Sequence, residues 1–305
     1  MKRLISIFLL CALLASCAPG AEPAEGITFT DDLGRTVTVQ DPKRVACLLG
    51  SFADVWYLAG GEVIAAADDA WEDFSLPLPD DAVNLGHTKS LSLEALFAAE
   101  PDFVIASANT EGNVQWKETL EAAGIPVAYF DVSDFDDYLR MLQVCTDITG
   151  RADLYERHGL AVQAQIDLTV ERARERGTNP KVLYLRASAS SIRAKNSVGS
   201  VLGEMLAALG CVNIADTDAS LLENLSMEHI LLEDPDFIFF VQLGDDTAGT
   251  EERIGQFIEE NPAWATLTAV REGRVCLLDK TLYNMKPNAR WGEAYMALEA
   301  LLREN

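Results

Sequence analysis

Residues 91–105 read LSLEALFAAEPDFVI, and residues 225–239 read LSMEHILLEDPDFIF. Leucine, serine, glutamate, proline, aspartate and phenylalanine occupy the same positions in both segments. In each segment a serine suited to helix N-capping precedes a short helical stretch, and a Pro-Asp pair ends that helix before an apolar strand. The shared order indicates an internal duplication of a helix–strand unit.

Looser repeats surround these two segments. In the first half, a strand at 44–49 leads through a helix to a short strand at 63–66. In the second half, a strand at 181–186 leads to a helix at 197–209. Strands that alternate with helices favour parallel sheets covered on both faces. We therefore predict the α/β class, with two three-layer α/β/α lobes and parallel-type sheets.

The segment 151–176 separates the two copies and is predicted to be one long linking helix. It contains no proline and one glycine, and its apolar residues recur at helical spacing. Gly177 and Pro180 are suited to end it. The predicted boundaries are an N-terminal lobe over 27–148, the linking helix over 151–177 and a C-terminal lobe over 180–305.

The composition favours a folded, acidic protein. The 305 residues include 48 acidic and 24 basic side chains, for a formal net charge of −24, and 49% are hydrophobic. This apolar content is enough for packed cores and disfavours disorder. The negative charge would repel a phosphate backbone, so no nucleic-acid partner is predicted.

The first residues are predicted to direct secretion and lipid attachment. Two basic residues precede an apolar run over 4–14, which is too short to span a bilayer as a helix. The tetrad LASC at 14–17 then resembles the lipobox of bacterial lipoproteins. We predict a signal peptide over 1–16, lipidation at Cys17 and a tether over 17–26. The protein would be extracytoplasmic and lipid-anchored to the membrane, in a periplasm or on a Gram-positive cell surface.

Two further segments carry a resemblance to a known family. Residues 27–48 read ITFTDDLGRTVTVQDPKRVACL, and residues 261–279 read NPAWATLTAVREGRVCLLD. Together with the lipobox, the duplicated lobes and the linking helix, they resemble the iron-complex and cobalamin branch of the substrate-binding proteins of ABC importers. The resemblance implies a monomer without a cofactor or enzymatic activity. It would hold its ligand in the cleft between the lobes and deliver it to a membrane permease and its ATPase.

The same resemblance implies a role for Glu94 and Glu228. These residues match the glutamates that engage arginines on the permease in this family. Equivalent acidic side chains on two similar lobes also suit a pseudo-symmetric partner. We therefore predict that both residues dock the protein on its permease. In the alternative interpretation, they interact only with the N-terminal dipoles of their helices.

The ligand-binding residues are predicted from the rule that parallel α/β lobes bind ligands beyond the carboxyl ends of their strands. Basic side chains there suit an anionic ligand, and aromatic side chains suit a broad one. A ferric siderophore or haem has both properties, and cobalamin or another corrinoid is the alternative within the family. Lys286 lies in the same region but is expected to be an ordinary surface residue. The predicted ligand-binding residues are Ser51, Phe52, Trp71, Phe74, Asn109, Arg186, Arg193, Lys195, Tyr283, Arg290 and Trp291.

Other chemistries have little support in the sequence. His87, His158 and His229 have no second histidine at metal-ligand spacing, so no direct metal site is predicted. His87 could ligate a haem or corrinoid axially, although a solvated loop histidine is the simpler interpretation. No catalytic motif is present, and the acidic pairs at 68–69 and 245–246 are interpreted as solvated turns. A secreted α/β hydrolase and a lipoprotein without a permease are the competing function classes.

Four cysteines remain after the signal peptide and Cys17, and none of them forms a C-x-x-C pair. We predict buried free thiols, although sequence alone assigns no disulfide state. The four residues are Cys47, Cys145, Cys211 and Cys276.

Overall fold

The structure of the protein is a computed structural model that describes residues 26–217 and 220–303. The predicted signal peptide and the lipidation site Cys17 lie outside the described residues. In the part of the chain that the structure describes, no helix is long and apolar enough to cross a membrane. The chain forms two α/β lobes connected by a long helix, which confirms the predicted fold class.

The N-terminal lobe contains an antiparallel hairpin and a five-stranded sheet whose neighbouring strands are all parallel. Its strands are β1 (Ile27–Thr30), β2 (Thr36–Val39), β3 (Val45–Cys47), β4 (Val63–Ala66), β5 (Val83–Asn84), β6 (Phe103–Ser107) and β7 (Val127–Phe130). Its helices are α1 (Gly50–Leu58), α2 (Asp69–Glu72), α3 (Leu93–Ala98), α4 (Glu111–Gln115), α5 (Lys117–Ala122) and α6 (Phe135–Thr149). In the sheet order β5-β4-β3-β6-β7, the chain first adds strands on one side of β3 and then adds β6 and β7 on the other side.

The linking helix consists of α7 (Ala152–Tyr155), a single π-helical turn (Glu156–Leu160) and α8 (Ala161–Arg176). Gly177 ends it in the left-handed conformation, with φ of 67°. Together these helical segments span Ala152–Arg176. The π turn was not predicted.

Packing against α6 accounts for the π turn. A Cβ atom on Gly159 would lie 2.7 Å from Leu139 Cδ1, so the turn brings its backbone closer to α6 than a larger residue permits. Because a π turn changes the carbonyl pairing of the helix, the His158 carbonyl accepts a hydrogen bond from the Tyr138 hydroxyl at 3.0 Å. The turn therefore fixes the linking helix to the N-terminal lobe.

The C-terminal sheet matches four strands of the N-terminal sheet, has no described counterpart of β5 and gains one added strand. Its strands are β8 (Lys181–Ala187), β9 (Ile192–Ala194), β10 (Val212–Asn213), β11 (Phe237–Gln242) and β12 (Val275–Leu278). Its helices are α9 (Val201–Ala208), α10 (Ser220–Glu223), α11 (Met227–Glu233), α12 (Thr247–Glu259), α13 (Thr268–Arg271), α14 (Lys280–Tyr283) and α15 (Trp291–Arg303). The order β10-β8-β11-β12 matches β4-β3-β6-β7. The addition is β9, which pairs antiparallel with β8 because the chain reverses at 188–191.

The repeated Pro-Asp pair has the same structural role in both lobes. The Asp102 carboxylate accepts hydrogen bonds from the backbone N–H groups of Lys43 and Arg44, both at 2.8 Å. The Asp236 carboxylate accepts one from Lys181, also at 2.8 Å. Each aspartate thus joins the start of its own strand to the first core strand of its lobe, which confirms the duplication at the level of individual contacts.

The C-terminal helix α15 contacts both the linking helix and the N-terminal lobe. Trp291 is fully buried and packs edge-on against Phe135 of α6, with ring centroids 6.2 Å apart. Glu299 forms an ion pair with Arg176 of α8 at 3.3 Å. The chain therefore returns to the N-terminal lobe after it has completed the C-terminal sheet.

The four predicted free cysteines are unbonded thiols in the structure. Cys47 and Cys145 are buried, whereas Cys211 and Cys276 are partly buried. Burial raises the pKa of each thiol. They are therefore in the protonated form that is least reactive.

Candidate functional site

A cavity of about 430 Å³ lies between the two lobes, and we call it the interlobe cavity. From the N-terminal lobe it is lined by residues that follow β4, such as Asp69, and by the loop at 87–89 after β5. From the C-terminal lobe it is lined by Ser188 after β8 and by residues 243–245 after β11. The cavity therefore occupies the carboxyl edges of both sheets, where this fold class binds ligands.

Lys280 connects the two lobes across the interlobe cavity. Its Nζ atom lies 2.6 Å from Oδ1 of Asp73 in the N-terminal lobe and 2.5 Å from Oδ1 of Asp245 in its own lobe. Burial alone would lower the pKa of Lys280, but its hydrogen bonds to the two carboxylates raise it. Lys280 is therefore charged and joins the lobes through a partly buried ion pair.

Four basic residues of the C-terminal lobe form what we call the cation cluster: Arg186, Arg193, Lys195 and Lys286. Arg186 and Arg193 lie directly opposite each other in the antiparallel pair of β8 and β9, and Lys195 is two residues further along the same face. Burial lowers the pKa of Lys195 and of Lys286, and the nearby charge of Arg186 lowers both further.

The cation cluster has carboxylates nearby, at Asp131 and Asp69 beside Lys286, but no direct ion pair. Among the described residues, none of its four members forms an ion pair, and the Arg186 Nε atom donates instead to the Tyr184 hydroxyl at 3.1 Å. Like charges placed directly opposite on paired strands destabilise a sheet. An anionic ligand would relieve this repulsion, so the arrangement can bind carboxylate or phosphate groups.

The N-terminal lobe faces the cavity with acidic residues. Asp68, Asp69, Glu72 and Asp73 line it, and we call them the acidic wall. Asp69 Oδ1 accepts a hydrogen bond at 2.8 Å from the backbone N–H of Gly50, the first residue of α1. Burial, with the nearby charges of Asp68 and Asp73, raises the pKa of Asp69 to about 6, although the hydrogen bond from Gly50 opposes the shift. These residues were interpreted as a solvated turn at 68–69, but the structure places them at the cavity.

Several predicted ligand-binding residues lie at the boundary between the lobes. Asn109 donates from Nδ2 to the Asp131 carboxylate, which is also close to Lys286. Phe74 and Arg290 line a second interlobe cavity of about 250 Å³, and Arg290 forms an ion pair with Glu293 at 2.8 Å. These placements bring Asn109 near Lys286 of the cation cluster and put Phe74 and Arg290 in the second cavity.

Four other predicted residues do not form the walls of the cleft, which corrects the prediction. Phe52, Tyr283 and Trp291 are 1%, 3% and 0% exposed and belong to the hydrophobic core. Ser51 is also buried, and its carbonyl accepts a hydrogen bond from Asn288 Nδ2 at 2.8 Å.

The cause of this burial is the C-terminal segment, which covers the start of α1. In the same region, the Tyr283 hydroxyl donates to the Ala294 carbonyl at 3.1 Å. Trp71 is partly buried and packs against the same core. The predicted aromatic walls are therefore reduced to Phe74, in the second interlobe cavity.

Sequence reasoning missed Lys286, Lys280 and the acidic wall. Lys286 was expected on the surface, but it is partly buried near Asp69, Asp131 and Arg186. The acidic pair that follows β4 was a usable signal, because it stands at the carboxyl end of a strand. No local pattern marks Lys286, since its position depends on the packing of a loop between the lobes.

The two predicted docking glutamates occupy equivalent exposed positions. Glu94 lies in the first turn of α3, whose N-cap Ser92 accepts a hydrogen bond from the Ala95 N–H at 3.1 Å. Glu228 lies in the first turn of α11, whose N-cap Ser226 accepts from the His229 N–H at 3.4 Å. Among the described residues, neither glutamate forms an ion pair.

Comparisons with known proteins agree with this architecture. The chain is 25% identical over 295 residues to the Fe(3+)-citrate-binding protein YfmC of Bacillus subtilis, covering 91% of this chain and 89% of the relative. It is 21% identical over 301 residues to YhfQ of the same organism, named as an ABC transporter substrate-binding lipoprotein, with 93% and 91% covered. The periplasmic heme-binding protein RhuT from Roseiflexus sp. RS-1 has a similar structure, with a TM-score of 0.68 at 22% identity and coverages of 85% and 97%.

The family itself is established by a match that spans most of both lobes. Residues 45–282 match the profile of the family described as periplasmic binding protein, from the first core strand β3 to the helix α14 that carries Lys280. The matched region includes both copies of the duplicated unit and the linking helix. The chain belongs to the periplasmic binding protein family.

Proposed function

We propose that the protein is the extracytoplasmic substrate-binding lipoprotein of an ABC importer and binds a chelated-iron compound between its lobes. The observation that carries this proposal is the cation cluster, whose four members form no ion pair among the described residues and which includes Lys286, the residue after the cavity-lining Met285. A charged site of this kind is suited to the carboxylate groups of a ferric chelate. The similarity to YfmC, a Fe(3+)-citrate-binding protein, supports this ligand class.

The distribution of aromatic residues favours a carboxylate-bearing chelate over haem. Phe52, Tyr283 and Trp291 pack in the core, so they do not offer the broad stacking surface that a porphyrin would use. The basic residues Arg186, Arg193 and Lys195 instead remain outside the hydrophobic core. The ligand would therefore be selected mainly by charge and hydrogen bonding.

His87 supports the same choice. It lines the interlobe cavity, and its Nδ1 atom accepts a hydrogen bond from the Lys89 backbone N–H at 3.2 Å. Because Nδ1 is an acceptor, the proton of the neutral ring is on Nε2, which then donates and offers no lone pair to iron. His87 is thus suited to bind a ligand oxygen and unsuited to ligate haem iron axially.

Delivery to the membrane is the second part of the proposal. Glu94 and Glu228 would engage basic residues of the permease, whose ATPase supplies the energy for transport, and the protein itself performs no chemistry on the ligand. Their exposed and equivalent positions support this role. Lipidation at Cys17 would hold the protein at the membrane, and the similarity to the lipoprotein YhfQ supports that anchor.

Ligand titrations test the proposal directly. Protein beginning at Ala18 would be titrated by calorimetry and tryptophan fluorescence with ferric citrate, a ferric catecholate, a ferric hydroxamate, haem, cyanocobalamin and Zn²⁺. We expect saturable binding of ferric citrate or another carboxylate chelate, and none of Zn²⁺ alone. Lys286→Gln should weaken this binding about tenfold, whereas the exposed Lys43→Gln should leave it unchanged.

Other results of the titration would change the proposal. If haem binds tightly and Lys286→Gln does not weaken its binding, the proposed ligand changes from a carboxylate chelate to a porphyrin. Binding of cyanocobalamin alone would move the transport function to corrinoids. No binding across the panel would reject the iron-chelate function.

A further inference from the structure

The second interlobe cavity, of about 250 Å³, has its own combination of charged and apolar side chains. From the N-terminal lobe it is lined by α1 and by the residues after α2, and from the C-terminal lobe by α14 and the segment before α15. We infer that this cavity binds a small organic cation, namely a primary ammonium group on a short alkyl chain. The inference does not depend on the ligand proposed for the interlobe cavity.

Asp54 provides the negative charge of this site. It lies on α1 and is partly buried, and its Oδ2 atom accepts a hydrogen bond at 2.8 Å from Nδ2 of Asn288. Among the described residues, Asp54 forms no ion pair. Burial raises the pKa of Asp54, although the hydrogen bond from Asn288 opposes the shift. A bound cation would supply the counter-charge that the neutral amide does not.

The other two charged residues that line the cavity already have partners. Arg290 donates from Nε and from Nη2 to the two carboxylate oxygens of Glu293, both at 2.8 Å. Asp73 forms the ion pair with Lys280 at 2.6 Å. An anionic ligand would therefore have to compete with Glu293 for Arg290, whereas a cation finds a carboxylate without an ion pair at Asp54.

Apolar side chains form much of the remaining wall. Leu58, Phe74, Pro287 and Ala289 line the cavity. Aliphatic side chains favour contact with an alkyl chain, and the ring of Phe74 can attract an ammonium ion through a cation–π interaction. The volume lies below the range of about 300–1,000 Å³ that is typical of pockets for drug-sized ligands. The alkyl chain must therefore be short.

The polar groups of the cavity suit a ligand that donates several hydrogen bonds. The Thr281 hydroxyl donates to Asp279 Oδ1 at 2.9 Å, so while that bond is kept it can only accept from a ligand, as Asp54 does. A primary ammonium group has three N–H donors, whereas a quaternary one has none. Within the described part of the chain, no group of three or more histidine, cysteine or carboxylate ligands could hold a metal ion. The site is therefore suited to an alkylammonium ion.

Titration with n-butylammonium chloride tests this site. Protein beginning at Ala18 would be followed by two-dimensional NMR, with n-butanol as an uncharged probe of similar size. We expect saturable binding of n-butylammonium that shifts the backbone amide signals of Phe74 and Ala289, and binding of n-butanol that is about tenfold weaker. Asp54→Asn keeps an oxygen that can accept from Asn288 and should weaken n-butylammonium binding about tenfold, whereas the exposed Asp80→Asn should leave it unchanged.

A second variant keeps the test decisive if Asp54→Asn folds poorly. Ala289→Leu adds a side chain that would fill the cavity and should abolish n-butylammonium binding. Absence of saturable binding, equal binding of n-butanol, or wild-type affinity in folded Asp54→Asn or Ala289→Leu would overturn the inference. Amide shifts confined to His87 and Ser190 would also overturn it, because they would place the cation at the acidic wall of the interlobe cavity. Failure of ferric citrate to bind would reject the proposed function and leave this titration unaffected.

Discussion

The two lobes carry opposite charges near their carboxyl edges although they share one duplicated fold. The N-terminal lobe lines the interlobe cavity with the acidic wall, whereas the C-terminal lobe carries the cation cluster on β8, on and directly after β9, and in the segment before α15. The strand order and the Pro-Asp contact are alike in both lobes, so the difference lies at the carboxyl edges and in the added strand β9. The duplicated sheets therefore provide the same scaffold for opposite charges.

The largest expected effect comes from removing the central charge of the cation cluster. Arg186→Ala should weaken ferric citrate binding about a hundredfold, because it removes a charged donor and the residue that faces both Arg193 and Lys286. Calorimetry on folded protein measures the change. Arg172→Ala is the control, since Arg172 is exposed on the linking helix. Wild-type affinity in Arg186→Ala would show that the opposite charges do not select the ligand.

The acidic wall should reduce the stability of the protein as pH rises. The pKa of Asp69 is raised to about 6 in the folded protein from an ordinary value of 3.8, so the folded state binds its proton more tightly than the unfolded state does. Between pH 4 and pH 6 ionisation therefore favours unfolding, by about 2 kcal/mol for a shift of this size. The charges of Asp68 and Asp73 also disfavour the ionised form of Asp69, and Lys286 lies near Asp69.

Asp69→Asn tests this effect, because the asparagine oxygen can still accept the Gly50 N–H. Urea unfolding from pH 4 to pH 7.5 should show a variant that is more stable than wild type at pH 7.5 and similar to it at pH 4. Asp68→Asn serves as the neighbouring control and should change the profile less. If the stability of Asp69→Asn depends on pH as that of wild type does, the carboxylates of the acidic wall do not repel one another as inferred.

The ion pair between Lys280 and Asp73, which joins the two lobes, should slow ligand release. Lys280→Met removes the bond to Asp73 and should raise the dissociation rate of ferric citrate about fivefold, since a partly buried pair of this kind contributes about 1 kcal/mol. Stopped-flow fluorescence measures the rate, and added salt should reduce the difference. Asp245→Asn is the matched control because it keeps the pair between the lobes. If Lys280→Met and Asp245→Asn raise the dissociation rate equally, the ion pair between the lobes does not control ligand release.

The comparison of the lobes also shows which features could be predicted from the sequence. Local sequence patterns predict three features directly: the serine caps, the Pro-Asp pair and the glycine at the end of the linking helix. Each of them forms its contacts within a few residues or at the start of a strand. The inward orientation of Phe52 and Trp291 depends instead on contacts such as that between Ser51 and Asn288, 237 positions apart. A rule about strand ends locates a loop correctly but does not show which side chains a distant segment will cover.

The basic residues proposed for the site remain outside the hydrophobic core, whereas three of the aromatic ones do not, and this difference has a physical reason. A charged side chain is costly to bury without a partner, so Arg186 on β8, Arg193 on β9 and Lys195 after β9 keep contact with solvent. An aromatic side chain gains free energy from burial, so it turns into the core when a neighbouring segment offers space. The partial burial of Lys286 was not predicted, because no neighbour in the sequence indicates that it packs between the lobes.

The last comparison tests whether the duplicated Pro-Asp contact contributes equally to the stability of both lobes. Asp102 accepts two backbone hydrogen bonds, from Lys43 and Arg44, and Asp236 accepts one, from Lys181. Asp102→Ala should therefore lower the free energy of unfolding by about 2 kcal/mol and Asp236→Ala by about 1 kcal/mol. Asp102→Asn should be intermediate, because it keeps one acceptor oxygen. Urea unfolding at pH 7 measures all three, and a larger loss in Asp236→Ala would show that the bond count does not explain the difference between the lobes.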